Sequence, residues 1–172
     1  MADIVLRKLT VADEAAFVEG AKLWDGHSLT WYSFDWKPGQ SYGEMLETLE
    51  RSSRGEGLPE GRVPATMLYG FLGDVIIGRL HVRHQLNEAL LRRGGHIGYS
   101  VAPAFRGRKF ASQMMEQGLA FCRKLGIEKA LLTCADKNEA SWKIIENFGG
   151  VLENKFFDEE DQETIRRYWI PL

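Results

Sequence analysis

The chain has 172 residues, 44% of them hydrophobic and 27% charged, and a formal net charge of -2. That length suits one domain, expected to span 1–172, and a chain of this size buries roughly 70% of its unfolded surface, so neither disulfides nor a metal is needed to fold it. The balance of 22 basic against 24 acidic residues excludes a general nucleic-acid or membrane binder. Two cysteines, Cys122 and Cys134, exclude a disulfide framework, and no Cys/His cluster has zinc spacing. The N-terminal residues carry no apolar leader and no window approaches the ~20 apolar residues of a spanning helix, so a cytoplasmic protein is expected.

Ile4 to Leu9 alternates as a first strand, and Thr10 to Asp13 has the spacing of a capping box opening a helix with Ala15, Ala16, Phe17 and Leu23 on its apolar stripe. Residues 25–64 are the least regular part, broken by Asp25-Gly26, Pro38-Gly39, Gly55-Glu-Gly57 and Pro59-Glu-Gly61, with a short helix expected around Tyr42 to Arg51. The aromatics Trp31, Tyr32, Phe34 and Trp36 in this stretch either seal the edge of the core or wall a substrate pocket. Asp25, Asp35 and Glu44 beside them could attract a cationic amine, or simply be solvated.

Ala65–Leu72, Gly73-Asp74 and Val75–Arg83 read as a hairpin with a tight turn. His84–Arg93 is polar and reads as a loop with one helical turn, and Gly95–Val101 as a further strand. Residues 109–125 place Phe110, Met114, Leu119, Cys122 and Leu125 at helical spacing, with Gly126 as the stop. Ala130–Cys134 is a short buried strand, Asn138–Phe148 a second helix closed by Gly149-Gly150, and Val151–Phe157 with Thr164–Ile170 a final hairpin around an acidic loop. The order predicts an α/β fold: a mixed, mostly antiparallel central sheet of six to seven strands flanked by helices on both faces. The last strand, with Tyr168, Trp169 and Ile170, could pair across a homodimer.

The chemistry concentrates where the strand ending at Val101 runs into the helix from 109. A helix start leaves its first N–H groups without partners and is electropositive, so it suits an anion. Gly107 lets backbone approach a ligand, and Arg106, Arg108 and Lys109 add charge. A solvated basic turn is the plainer alternative.

Gly95 to Gly150 resembles the GCN5-related N-acetyltransferase (GNAT) superfamily, in which a Gln/Arg-x-x-Gly-x-Gly/Ala loop opens the helix that holds the pyrophosphate of acetyl-CoA. Arg106 and Ala111 match the ends of that pattern, and Gly107, Arg108 and Phe110 fit its variable positions. Asn138, Ala140, Ser141 and Gly149 look like the second signature, and Arg83-His-Gln-Leu-Asn87, Gly94 to Tyr99, Leu132-Thr-Cys134 and Ile145 to Gly150 look like a subgroup of predicted acetyltransferases. There are two departures: Lys109 replaces the central glycine of the loop, and Ile145 stands where many members carry the tyrosine that returns a proton to the CoA thiolate.

The resemblance implies an acetyl-CoA-dependent N-acetyltransferase acting on a primary amine of a small molecule or a protein, without a metal, nucleic acid or membrane. Residues 95–150 would form the acetyl-CoA core and 25–64 the variable acceptor side. It places Tyr99, Ser100 and Val101 against the pantetheine arm, with Gly98 allowing a bulge or close approach, and the run Arg106, Gly107, Arg108, Lys109, Phe110, Ala111 and Ser112 around the pyrophosphate. Asn138 is expected to hydrogen-bond the pantetheine and Ser141, on the same helix face, to protonate or hydrogen-bond the sulfur; a cap-and-packing pair is the alternative. His96 stands where many relatives have Glu and is the candidate base, directly or through water, or else a strand histidine satisfied by neighbours; Glu88 and His84 are weaker candidates. Cys134 and Cys122 are expected in the core. A non-catalytic acyl-CoA-binding module of the same fold is the competing reading, resting on Lys109 and Ile145.

Overall fold

The computed structural model describes residues 3–34 and 36–172. Strand β1 (Val5–Arg7) leads through a 3-10 turn into helix α1 (Glu14–Lys22), and α2 (Tyr42–Arg54) lies in the irregular stretch. The hairpin β2 (Ala65–Leu72) and β3 (Val75–Arg83) is followed by the short α3 (Glu88–Arg92), β4 (Ile97–Val101) and α4 (Phe110–Lys124). Then come β5 (Lys129–Ala135), α5 (Glu139–Asn147), β6 (Val151–Asp158) and β7 (Glu163–Pro171). Local chemistry sets these boundaries. The Asp13 carboxylate accepts from the Thr10 N–H (2.7 Å) and from both Nη1 and Nη2 of Arg7 (2.7 and 2.8 Å), so the capping box is also an ion pair. Gly55, in the left-handed region at φ +75°, ends α2.

The seven strands form two antiparallel sheets, β1-β2-β3-β4 and β5-β7-β6, rather than one continuous sheet. They touch at a single bridge, Gly95 to Leu132. Around it the sheets are stitched: the His96 N–H donates to the Leu131 carbonyl (2.7 Å), the Gly94 N–H to Thr133 Oγ1 (2.8 Å), and Arg93 pairs with Asp158 (2.7 Å) and Glu163 (3.0 Å). Beyond that point β4 has a strand partner on its β3 edge only. A side chain at Gly95 would put its Cβ 2.2 Å from the Leu131 carbonyl oxygen, and the φ there is +62°, so glycine alone fits.

Helices cover both faces. On one, Met114, Met115 and Leu119 of α4 and Ile145 of α5 pack on Leu80, Val82 and Ile97. On the other, Phe17, Trp24, Tyr32, Trp36 and Tyr42 form an aromatic cluster against Met67, Tyr69 and Ile76; Phe17 stacks on Tyr32 at 5.0 Å and meets Trp36 edge-on at 5.0 Å. The aromatic run of the irregular stretch therefore divides: Tyr32 and Trp36 are core, Trp31 and Phe34 are exposed.

The last strand is not a free edge. β7 lies between β5 and β6, its Tyr168 and Ile170 buried, so the expected pairing across a dimer through this strand is closed off by its own neighbours. The outer strands of that sheet are β5, bridged once to Gly95, and β6.

Candidate active site

Beyond the Gly95–Leu132 bridge β4 and β5 share no hydrogen-bonded ladder, which leaves a cleft between their facing edges. Tyr99 of β4 and Ser141 of α5 share a hydrogen bond across it (Oη to Oγ, 2.9 Å). Cys134 of β5 lies beside them: burial pushes its thiol up to about 11, and a hydrogen bond with Ser141 works against that shift. Burial likewise pushes the Tyr99 phenol up to about 12. The cleft is thus lined by three groups that stay protonated and neutral at ordinary pH, which makes them proton donors rather than bases.

Asn138 caps α5, its Oδ1 accepting the Ser141 N–H at 3.2 Å. The cap fixes the helix start and so the position of the Ser141 hydroxyl. Ile145 is buried in the core and brings nothing to the cleft.

At the far end of β4, a 3-10 turn (Pro103–Phe105) leads to the basic run. Arg106 Nε donates to the Val101 carbonyl (3.0 Å), tying the loop to the strand, while Arg106, Gly107, Arg108 and Lys109 are exposed. Gly107 (φ +73°) has no atom within 4 Å of where a Cβ would sit. Lys109 is in the left-handed region at φ +64° and stands immediately before Phe110, the first residue of α4. The residue in the place of the expected glycine thus keeps a glycine-like backbone, at a cost of roughly 1–2 kcal/mol for an L side chain. Phe110 is buried in the core with the Arg108 guanidinium over its ring at 5.0 Å, and Ala111 packs against that core; Ser112 is half-buried. The first-turn N–H groups and three cations present the chemistry that suits an anion.

β4 splits its residues by parity. Tyr99 and Val101 face the cleft side with Ile97, whereas Ser100 lies opposite Arg79 and donates to the Trp31 carbonyl on the other face. Gly98 pairs regularly with His81 and forms no bulge; the register shift lies at Gly70/Phe71. His96 is buried, and its Nδ1 accepts the Leu131 N–H (2.9 Å). With that lone pair engaged and the proton on Nε2, the ring straps β4 to β5, and burial lowers its pKa. No hydrogen bond joins it to the Tyr99–Ser141 pair. His84, bonded to Thr66 Oγ1 at 2.8 Å, and exposed Glu88 are also apart from the cleft.

A second concavity, about 550 Å³, lies on the opposite face between α2, β3 and the start of α3. Its walls include Phe34, Arg51, Arg62, His81, Arg83 and Asn87. Asp25 and Glu44 do not reach it, and Asp35 lies outside the described residues. The described lining of this concavity is mainly cationic, the reverse of the charge those acidic residues suggested.

A family model described as an acetyltransferase (GNAT) domain matches residues 3–151. The chain belongs to the GNAT acetyltransferase family. A search of curated proteins finds no match for this GNAT domain. Among solved structures, it superposes on the acetyltransferase from Salmonella typhimurium that modifies the N-terminal serine of ribosomal protein L7/L12, with 18% identity, a TM-score of 0.65, and coverage of 100% of this chain and 96% of that one. YncA from Salmonella typhimurium, a putative acetyltransferase solved with its cofactor acetyl-CoA, matches with 15% identity, a TM-score of 0.63, and coverage of 98% and 94%. A chimera of the spermidine N-acetyltransferase SpeG from Vibrio cholerae matches with 18% identity, a TM-score of 0.63, and coverage of 98% and 95%. At these identities the likeness shows the shared fold.

Two features of this GNAT domain escape the sequence reading. Tyr99 was expected only as a backbone contact, yet its hydroxyl meets Ser141, 42 residues away. The arginines of the second concavity come from three separate segments, so no spacing announces them.

Proposed function

We propose that the protein is an acetyl-CoA-dependent N-acetyltransferase whose acceptor is a primary amine. The observation that carries this reading is the Tyr99–Ser141 hydrogen bond across the gap between β4 and α5, in line with the cradle at Gly107–Ala111. The residues present fit acetyl-CoA: exposed cations and free helix N–H groups suit the pyrophosphate, and the unpaired edge of β4 suits an amide-bearing arm. Arg106, Arg108 and Lys109 with the first-turn N–H groups would hold the phosphates, and the β4 backbone at Tyr99, Ser100 and Val101, with Asn138, would line the arm.

When bound, acetyl-CoA supplies a thioester acyl group. An ammonium acceptor that becomes an acetamide loses two protons; one ends on the departing sulfur and the other goes to solvent. Ser141, held by the Asn138 cap and hydrogen-bonded to Tyr99, donates the first. Tyr99 in turn reprotonates Ser141 and recovers its own proton through solvent from the amine, which supplies the donor that Ile145 lacks. His96 holds the strands in place rather than taking the second proton.

Titration with coenzyme A and thiol release with an amine panel test this. We expect coenzyme A to bind, and reversal of Arg108 and Lys109 to Glu to weaken it at least about tenfold, the loss of charge-assisted contacts. Binding without thiol release across the panel would favour the non-catalytic acyl-CoA module, and absence of binding would remove both.

A further inference from the structure

The concavity behind β4 is a chamber whose described lining holds more cations than carboxylates. Among the described residues, no ion pair engages Arg51, Arg62 or Arg83. Among the described residues, the one carboxylate in its wall is Glu56, which is held by Arg54 through Nε (2.8 Å) and Nη2 (3.0 Å) and also feels the charge of Arg51. Arg83 is mostly buried and spends Nη1 on the Gly94 and Gly95 carbonyls (3.1 and 3.4 Å), neutral acceptors that leave its charge in place. Its pKa falls to about 10 through burial and the nearby Arg62, so it stays cationic at neutral pH.

His81 reports the same field. Its Nδ1 is buried without a hydrogen-bond partner. Burial lowers its pKa to about 3, with Arg83, Arg79, Arg62 and His84 each pushing the same way. The Phe34 ring stands edge-on at 5.3 Å, with the Arg79 guanidinium over its face at 4.2 Å. The chamber also borders β4: His81 is the register partner of Gly98, and the Arg83 guanidinium lies 3.4 Å from where a Gly98 Cβ would be. A cavity of about 550 Å³ is within the range that holds a small molecule or a short peptide end.

We propose that this chamber is the acceptor site and that it selects an amine bearing a carboxylate, with Arg51, Arg62 and Arg83 holding the carboxylate and the amine directed past His81 to the Gly98 edge of β4. The inference rests on the acetyl-transfer reading and adds the substrate class. A polyamine is repelled by three guanidiniums; a neutral amine leaves them unpaired. A free acidic amino acid and a peptide with an acidic first residue share the recognised chemistry.

Four acceptors separate these cases: glutamate, glutaminamide (which has no carboxylate), and the tripeptide amides Glu-Ala-Ala and Gln-Ala-Ala, with spermidine as the cationic control. In thiol release we expect kcat/KM for the carboxylate member of the matching pair to exceed its amide by about 10–100-fold, with spermidine inert. Which pair responds identifies the free or the peptide source. The exposed Arg62→Gln and Arg51→Gln variants should each raise KM about tenfold for the carboxylate acceptor, with kcat and coenzyme A affinity little changed. Equal use of acid and amide, turnover of spermidine, or an unchanged KM in both variants overturns the proposal and leaves acetyl transfer standing. N-acetylglutamate and N-acetylglutaminamide, titrated without cofactor, read the chamber alone. Preference for the acid, lost in Arg62→Gln, supports the anion site even if no thiol is released, and no preference counts against it.

Discussion

The two faces of the β3–β4 pair are chemically opposite. On the α4/α5 side, Tyr99, Ser141 and Cys134 are neutral donors, and burial has raised the pKa of Tyr99 and of Cys134. On the α2 side, Arg79, His81 and Arg83 line up along β3, and burial has lowered theirs. The same physical term, loss of water around a charged form, thus yields a proton source on one face and a permanent positive field with a neutral imidazole on the other. Strand parity does the sorting, because consecutive residues of one strand report to different chemistry.

The sharpest way to break this contrast is to strip the hydroxyls. The Tyr99→Phe/Ser141→Ala double variant should lose about 100-fold in kcat, the usual scale for a general acid, and each single variant less because one hydroxyl remains. A double variant within threefold of the parent would take this pair out of proton transfer.

On the cationic face the contrast is a pH effect. His81 in the unfolded chain takes a proton near 6.5, whereas in the fold it does so only at about 3. The unfolded state therefore binds more protons between these values, so stability falls as pH drops through that window and is unaffected above it. At pH 4.5 the loss is roughly 2–3 kcal/mol. His84 and His96, also lowered, add in the same sense. Melting curves of His81→Gln should fall less between pH 7 and 4.5 than those of the parent, and parallel curves would remove His81 as the sensor.

The smallest expected effect tests the cradle. Lys109→Gly relieves an L side chain in the left-handed region and should raise stability by about 1 kcal/mol, a shift of about 2–4 °C in Tm. An unchanged Tm would mean that the lysine side chain gains as much as its backbone costs.

Much of the scaffold is readable from local pattern. Ala65–Leu72, Gly73-Asp74 and Val75–Arg83 alternate and turn as the hairpin requires, and the observed strands have those limits. Gly126 (φ +77°) follows the end of α4, and Gly149 (φ +83°) the end of α5, where helix stops were expected. What pattern does not carry is relative placement. Breaking the sheet after Gly95 is a tertiary event, set by a backbone contact with Leu131 rather than by any run of residues. The central position of β7 follows from how its hairpin folds back onto β5, so its apolar residues look the same whether they are interior or edge. Tyr99 meets Ser141 only because a strand face and a helix start converge. The Arg51, Arg62 and Arg83 chamber has no periodicity at all, and the acidic residues nearer the aromatic run pointed to the opposite charge.

The single bridge at Gly95–Leu132 gives the molecule the geometry of a pair of shears. The stitched end near Arg93 is the rivet, and the blades are the two sheets, open where Tyr99 reaches Ser141. In such a linkage a small error at the rivet grows with distance along the blade. Gly95 therefore sets the span between two hydroxyls that it never touches. A methyl group there would act on catalysis as leverage, spoiling the 2.9 Å contact while leaving every residue that makes it in place.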